Sequence, residues 1–325
     1  MKKKVLCLAV AVSLLAALTG CRKQSETSEK AGEVDWPNSD IRLVNGFAAG
    51  GDIDVCARFL AESLSKQLGK SVFVENLKGA NGSLAMEEVI NSNAPESNFL
   101  VINTSALSAN PVTGLTDFTY QDMDPVAVFA SYSGEVLYVP ADAPYETWEE
   151  FVEYTKNNHV TFGIPMGGAL YAAAASMNHY GLNLDIVDAG DAAERITSLL
   201  GKQLDCTFAS YALGRDYIEN GSLKQLCTLS AKPIQDSPDL PCANSMIENA
   251  VIDTKFVILA KKGTDPAVIN KFQKSIQTCY ETDSDYVKNI ESYTFQSAKP
   301  LTAEETLELL ENQYQLFQTF KEFLK

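Results

Sequence analysis

Histidine is nearly absent from this chain: its 325 residues include only His159 and His179. Neither stands in a glycine-containing loop, and no Gly-x-Ser-x-Gly elbow or His-x-x-x-His pair occurs. The motifs of a histidine-activated nucleophile or a histidine-built metal centre are therefore missing. The seven cysteines match no zinc spacing. Five of them fall in the folded part (Cys56, Cys206, Cys227, Cys242 and Cys279), and a bridge between two of Cys206, Cys227 and Cys242 stays open. No metal and no cofactor is expected. Basic side chains are scarce too, 26 Lys and Arg against 42 Asp and Glu. That balance suits neither nucleic acid nor an anionic bilayer surface as a partner. No short repeat of fixed period is present, which excludes a solenoid.

What is present begins with Lys2, Lys3 and Lys4 ahead of an uncharged apolar run over 5–18. This is the layout of a secretion signal, too short to span a bilayer comfortably. The run closes on Leu18-Thr19-Gly20-Cys21, which resembles the lipobox of bacterial lipoproteins. Residues 1–20 are thus expected to be removed and Cys21 to carry a lipid, placing the protein outside the cytoplasm on a membrane anchor. Loss of the three lysines takes the formal charge from −16 to −19. Residues 21–35 read as a tether, because RKQSETSEKAGEVD holds no aliphatic cluster able to offset ordering entropy. The folded part starts near Trp36.

From there strands and helices alternate. Residues 41–44 read as a strand, a glycine-containing turn follows, and Cys56, Leu60, Leu64 and Leu68 recur every fourth residue up to Gly69. That spacing predicts an amphipathic helix ended by the glycine, with Asp52 or Asp54 as its cap. Further strands are predicted at 71–75, 99–103, 126–130, 135–139, 160–164, 184–187, 204–208 and 257–260. Capping boxes at Thr147 with Glu150 and at Thr302 with Glu305 open two of the helices, and Asp265-Pro266 opens another. The last helix shows Leu307, Leu310, Tyr314, Phe317 and Phe320 as a packing stripe. The alternation predicts an α/β fold with a mostly parallel sheet.

Such a sheet binds ligands at the loops after its strands, where helix N-termini converge with unpaired N–H donors. The foremost of these loops is Phe47-Ala48-Ala49-Gly50-Gly51-Asp52-Ile53-Asp54, with Arg58 one turn later. Gly51 is the position expected to need positive φ, so a β-branched residue there should be harmful. With the strand at 41–44, this loop resembles the first motif of the substrate-binding receptors of tripartite tricarboxylate transporters, the Bug family. The resemblance continues in order through Val74-Glu75-Asn76 with Gly79-Ala80-Asn81-Gly82, Asn110-Pro111 after Thr104-Ser105, and Phe162-Gly163 with Gly168. It runs on through Leu199-Leu200-Gly201-Lys202-Gln203-Leu204-Asp205, Ile218-Glu219-Asn220-Gly221-Ser222-Leu223 and Ser237-Pro238-Asp239-Leu240-Pro241.

The resemblance implies a type II periplasmic-binding-protein-like fold, two α/β lobes with a ligand cleft between them. Residues 36–137 and 255–325 would form the first lobe and 138–254 the second. It also implies a small carboxylate ligand, held by backbone N–H groups and ordered waters, and a two-component membrane permease as partner, with a monomeric receptor that performs no catalysis. The expected ligand-binding residues are Phe47, Ala48, Ala49, Gly50, Gly51, Asp52 and Asp54 on the first lobe, Ser105 at the rim, and Gly163, Gly167, Gly168, Ala169 and Asp191 on the second. The rival readings are an orphan receptor presenting its ligand to a sensor kinase, and an exported enzyme.

Departures from the family bear on the ligand. Gly46 stands where proline is usual, which should loosen the start of the loop. Ile164, Ala169 and Ala172 replace hydroxyl groups or a histidine, leaving the second lobe little beyond backbone donors. Asp52, Asp54, Asp188 and Asp191 lie on or beside the loops; if one faces the cleft, it favours a ligand that also carries positive charge. A monocarboxylate with a compact apolar or zwitterionic body is expected over citrate.

Overall fold

The computed structural model describes residues 34–230, 232–243 and 252–321. The signal segment, Cys21 and the tether up to Glu33 lie outside the described residues.

The first part of the chain runs β1 (Ile41–Asn45), α1 (Asp52–Leu68), β2 (Val72–Asn76), α2 (Ser83–Ile90), β3 (Asn98–Asn103), α3 (Thr104–Ala109) and β4 (Met123–Ser131). The second runs β5 (Glu135–Pro140), α4 (Trp148–Thr155), β6 (Val160–Ile164), α5 (Gly168–His179), β7 (Leu184–Asp188), α6 (Ala192–Leu200), β8 (Cys206–Ser210), α7 (Tyr211–Glu219) and β9 (Leu223–Thr228). The chain then returns through β10 (Lys255–Lys261) to α8 (Pro266–Thr282), α9 (Ser284–Thr294) and α10 (Ala303–Thr319). Two five-stranded sheets result, ordered β2-β1-β3-β10-β4 and β7-β6-β8-β5-β9. Each is the centre of one lobe.

The sheets are mixed, where the alternation predicted mostly parallel ones. β1 is parallel to β2 and β3, but β10 runs antiparallel to both β3 and β4. In the second sheet β6 is parallel to β7 and β8, while β5 runs antiparallel to β8 and β9. The reversed strands are the ones by which the chain enters each lobe from the other. Both lie inside their sheets with a neighbour on each side, and both are accordingly apolar through their centres: Val257, Ile258, Leu259 and Ala260 in β10 are fully buried, as are Val136, Leu137, Tyr138 and Val139 in β5. The two crossings are tied together, since the Tyr132 N–H donates to the Thr254 carbonyl and the Leu229 N–H to that of Glu135.

Local signals mostly act as the sequence implies. Gly69 closes α1 in the left-handed region, its N–H bonded to the Ser65 carbonyl. The Thr302 and Glu305 box forms in full. The box at Thr147 forms by half: Thr147 accepts from the Glu150 N–H, but the Glu150 carboxylate turns one residue back, to the Glu146 N–H. In α10 the buried face is Thr306, Leu310, Gln313 and Phe317, and Leu307 is exposed. That helix straddles the lobes, with Leu310 in the first lobe's core and Phe317 in the second's. Cys206 and Cys227 are both buried free thiols, so no bridge joins any two of Cys206, Cys227 and Cys242.

Candidate functional site

The loop from β1 to α1 is held in shape from behind. The Asp54 carboxylate, nearly inaccessible, accepts from the Gly50 N–H at 2.9 Å, from Asn76 Nδ2 at 2.9 Å and from Arg58 Nε and Nη2, each at 2.9 Å. Burial alone would raise the Asp54 pKa; the bonds from Arg58, Gly50 and Asn76 outweigh it and hold the group below the usual carboxylate range. Asp54 is thus a brace for the loop and not a helix cap. Gly51 occupies the cap position of α1, with no side-chain hydrogen bond to the helix. The N–H groups of Asp52 and Ile53 consequently have no protein acceptor among the described residues.

Two glycines differ from their sequence-based roles. Positive φ belongs to Gly50, at 80°, while Gly51 is extended at −75°. Gly46 does not loosen the loop: a Cβ there would stand 2.6 Å from the Gly82 Cα, so the position permits close contact of two backbones.

Across the cleft, Gly167 precedes α5 with no side-chain cap, and the Ala169 and Leu170 N–H groups are likewise without a protein acceptor among the described residues. Gly168 is tied to the first lobe: its N–H donates to Thr113 Oγ1 at 3.1 Å, and a Cβ there would lie 2.2 Å from Asn81 Nδ2. Asp191 caps α6 by accepting from the Glu194 N–H and pairs across the cleft with Lys78 at 2.7 Å.

Between these loops lies a cavity of about 520 Å³. Of the residues singled out by sequence, it is lined by Phe47, Ala48, Ala49, Gly50, Gly51, Asp52, Ser105, Gly167, Ala169 and Asp191. Asp54, Gly163 and Gly168 stand outside the lining. Asp54 braces the loop, Gly168 makes the interlobe contact, and Gly163 lies within β6, where a Cβ would meet Leu204 Cδ1 at 2.3 Å. Ile164 and Ala172 are core residues, and neither histidine reaches the cleft.

The sequence singles out Asp52, and Arg195 as a candidate ligand-binding or catalytic arginine, but the reading missed Glu135 and Tyr132 in the charged inner wall. Glu135, Tyr132 and Arg195 all line the cavity. The Tyr132 hydroxyl donates to Glu135 Oε2. Burial pushes the Glu135 carboxyl up to about 7, against the opposing effects of the Tyr132 bond and the Arg195 charge. Asp52 also moves up through burial, partly offset by bonds from Ser210 and from the Tyr293 hydroxyl, the latter at 3.0 Å. Arg195 is buried, which lowers its pKa; it donates to Thr207 Oγ1 and to the Phe208 and Gly190 carbonyls. The one signal in the sequence for Glu135 was its position beside the crossing between lobes.

The profile of the tripartite tricarboxylate transporter family receptor matches residues 56–315. A UPF0065 protein of Cupriavidus necator is 31% identical over 275 residues, covering 81% of each chain. Among solved structures, the periplasmic binding protein BugD superposes with a TM-score of 0.76 at 25% identity, over 89% of this chain and 98% of that one. A TctC solute-binding protein from Polaromonas does so at 0.66 and 25% identity, over 88% and 98%. Two α/β lobes around a cleft lined by uncapped helix starts, together with these likenesses, give the conclusion that the chain belongs to the tripartite tricarboxylate transporter receptor family, a family of solute-binding proteins.

Proposed function

We propose that the protein is an extracytoplasmic receptor that captures a small carboxylate in the cleft and delivers it to a two-component permease of the tripartite tricarboxylate type, while a lipid on Cys21 holds it at the membrane. The observation that carries the ligand class is the pair of uncapped helix starts. α1 and α5 both open onto one cavity with first-turn N–H groups that no protein atom accepts among the described residues. Such groups sum to a partial positive charge at each helix start and match a carboxylate's acceptors. The acidic surface does not oppose this, because exposed charges beyond about 10 Å are screened at ordinary ionic strength. The remaining wall near α5 offers Met166, Ala169 and Leu170, which suits a compact body better than a second and third carboxylate.

A thermal-shift panel on ligand-stripped protein tests this. Monocarboxylates are expected to raise Tm and their methyl esters to leave it unchanged; equal shifts by acid and ester would refute carboxylate recognition. Cys21→Ser is expected to release a soluble protein with the same panel response, and continued membrane attachment of that variant would remove Cys21 as the anchor.

A further inference from the structure

The inner wall of the cleft carries charge that carboxylate capture does not use. Asp52, at the start of α1 in the first lobe, and Glu135, at the start of β5 in the second, line the same cavity. Glu135 is only 5% exposed. Its Oε2 accepts from Tyr132, and no protein donor reaches Oε1 among the described residues. Asp52 is contacted by the neutral hydroxyls of Tyr293 and Ser210. Neither acid forms an ion pair among the described residues.

The cations nearby are engaged elsewhere. Lys78 is held at the rim by Asp191 at 2.7 Å and Glu194 at 3.6 Å. Arg195 is 4% exposed, and its hydrogen bonds among the described residues go to Thr207, Phe208 and Gly190, none to a carboxylate. When both are ionised, two inner-wall acids against one arginine leave an excess of negative charge in a secluded site. Such an excess is costly unless a proton or an outside cation neutralises it. No group of three or more metal-ligating side chains exists among the described residues, which turns the choice toward an organic cation.

We propose that the solute is a zwitterion whose ammonium is received by Asp52 and Glu135 beside the carboxylate bound at the α1 and α5 helix starts. This rests on the carboxylate reading above. Asp52 is the first residue of the helix that binds the carboxylate, so the two charges of the solute must lie close together. An α-amino acid meets that requirement and a long ω-amino acid does not.

Calorimetry on ligand-stripped protein, with matched probes, tests the proposal: alanine against propionate, leucine against isocaproate, phenylalanine against hydrocinnamate, and each amino acid against its amide. At least one amino acid is expected to bind about tenfold or more tightly than its des-amino partner, the value of a charge-assisted hydrogen bond. Glu135→Gln and Asp52→Asn, checked as folded by circular dichroism, are each expected to abolish that preference, so that the amino acid and its des-amino partner bind within about twofold of one another, a difference below half a kcal/mol. Equal affinity for amino acid and des-amino partner overturns the ammonium site and leaves carboxylate capture standing. So does a preference that survives both substitutions, or binding by des-amino acids alone. Amides that bind as tightly as their acids overturn carboxylate capture itself, and with it this proposal.

Discussion

Glu135 sits at the point where the chain passes from one lobe to the other, and its burial changes how stability responds to pH. Its folded-state pKa of about 7 lies above the ordinary 4.5. A carboxyl whose pKa is raised on folding contributes fully below the unfolded value, and the contribution is lost as pH rises through the folded one. For ligand-free protein the loss falls between about pH 4.5 and 7 and amounts to on the order of 3 kcal/mol. Asp52 is raised too and acts in the same direction. Glu135→Gln removes the ionisation, so its stability relative to wild type should grow as pH rises from 5 to 8. Urea unfolding at both values measures this, and parallel profiles for the two proteins would show that Glu135 is not held protonated. Asp54, four residues before Arg58, is the opposite case: its lowered pKa makes it a loop brace that weakens only in acid.

At the scale of elements, the start of α1 depends on three glycines that do different things. Gly46 has no room for a Cβ beside Gly82, Gly50 holds φ at 80° in open space, and Gly51 is extended with only the Ala48 carbonyl at 3.4 Å from a built Cβ. Gly46→Ala must therefore separate two loop backbones, at about 1–3 kcal/mol, and Gly50→Ala costs about 1–2 kcal/mol through left-handed strain. Gly51→Ala should fold with almost unchanged stability. Thermal unfolding of the three variants is expected to rank Gly46→Ala lowest and Gly51→Ala nearest wild type; a Gly51→Ala variant as damaged as Gly46→Ala would contradict this loop geometry. The sequence pattern identified the glycine loop correctly as a turn into a helix, yet it assigned the unusual φ to the wrong glycine. Adjacent glycines are indistinguishable by composition, and which of them turns is set by the Asp54 bond to the Gly50 N–H.

For the whole molecule, the lobes meet through Lys78 with Asp191 and through the tight contact of Gly168 with Asn81. The lysine is about half exposed, so its pair adds little to folding, about 0.5 kcal/mol or less. Its effect belongs to closure. Lys78→Met is expected to leave Tm of the ligand-free protein within about 1 °C and to weaken solute affinity by roughly threefold, an effect that shrinks in high salt. Calorimetry at low and high salt checks it, and an affinity loss that is independent of salt would assign Lys78 a direct contact with the solute instead.

What the sequence determined by itself is local or periodic. The four-residue spacing of Cys56, Leu60, Leu64 and Leu68, the left-handed stop at Gly69 and the caps at Thr147 and Thr302 depend on neighbours within a turn of the chain, so they were legible without a fold. The ordered series of loop motifs named the family for the same reason. Only the tertiary structure decided that β5 and β10 run reversed and lie inside their sheets, β5 between β8 and β9 and β10 between β3 and β4, because alternation of strand and helix carries no record of which strands will be neighbours. It alone brought Asp52, Glu135 and Arg195 to one cavity wall from positions up to 143 residues apart, and turned Asp54 and Gly163 away from that wall. Charge at a buried site is a property of distance through space, and distance along the chain does not encode it.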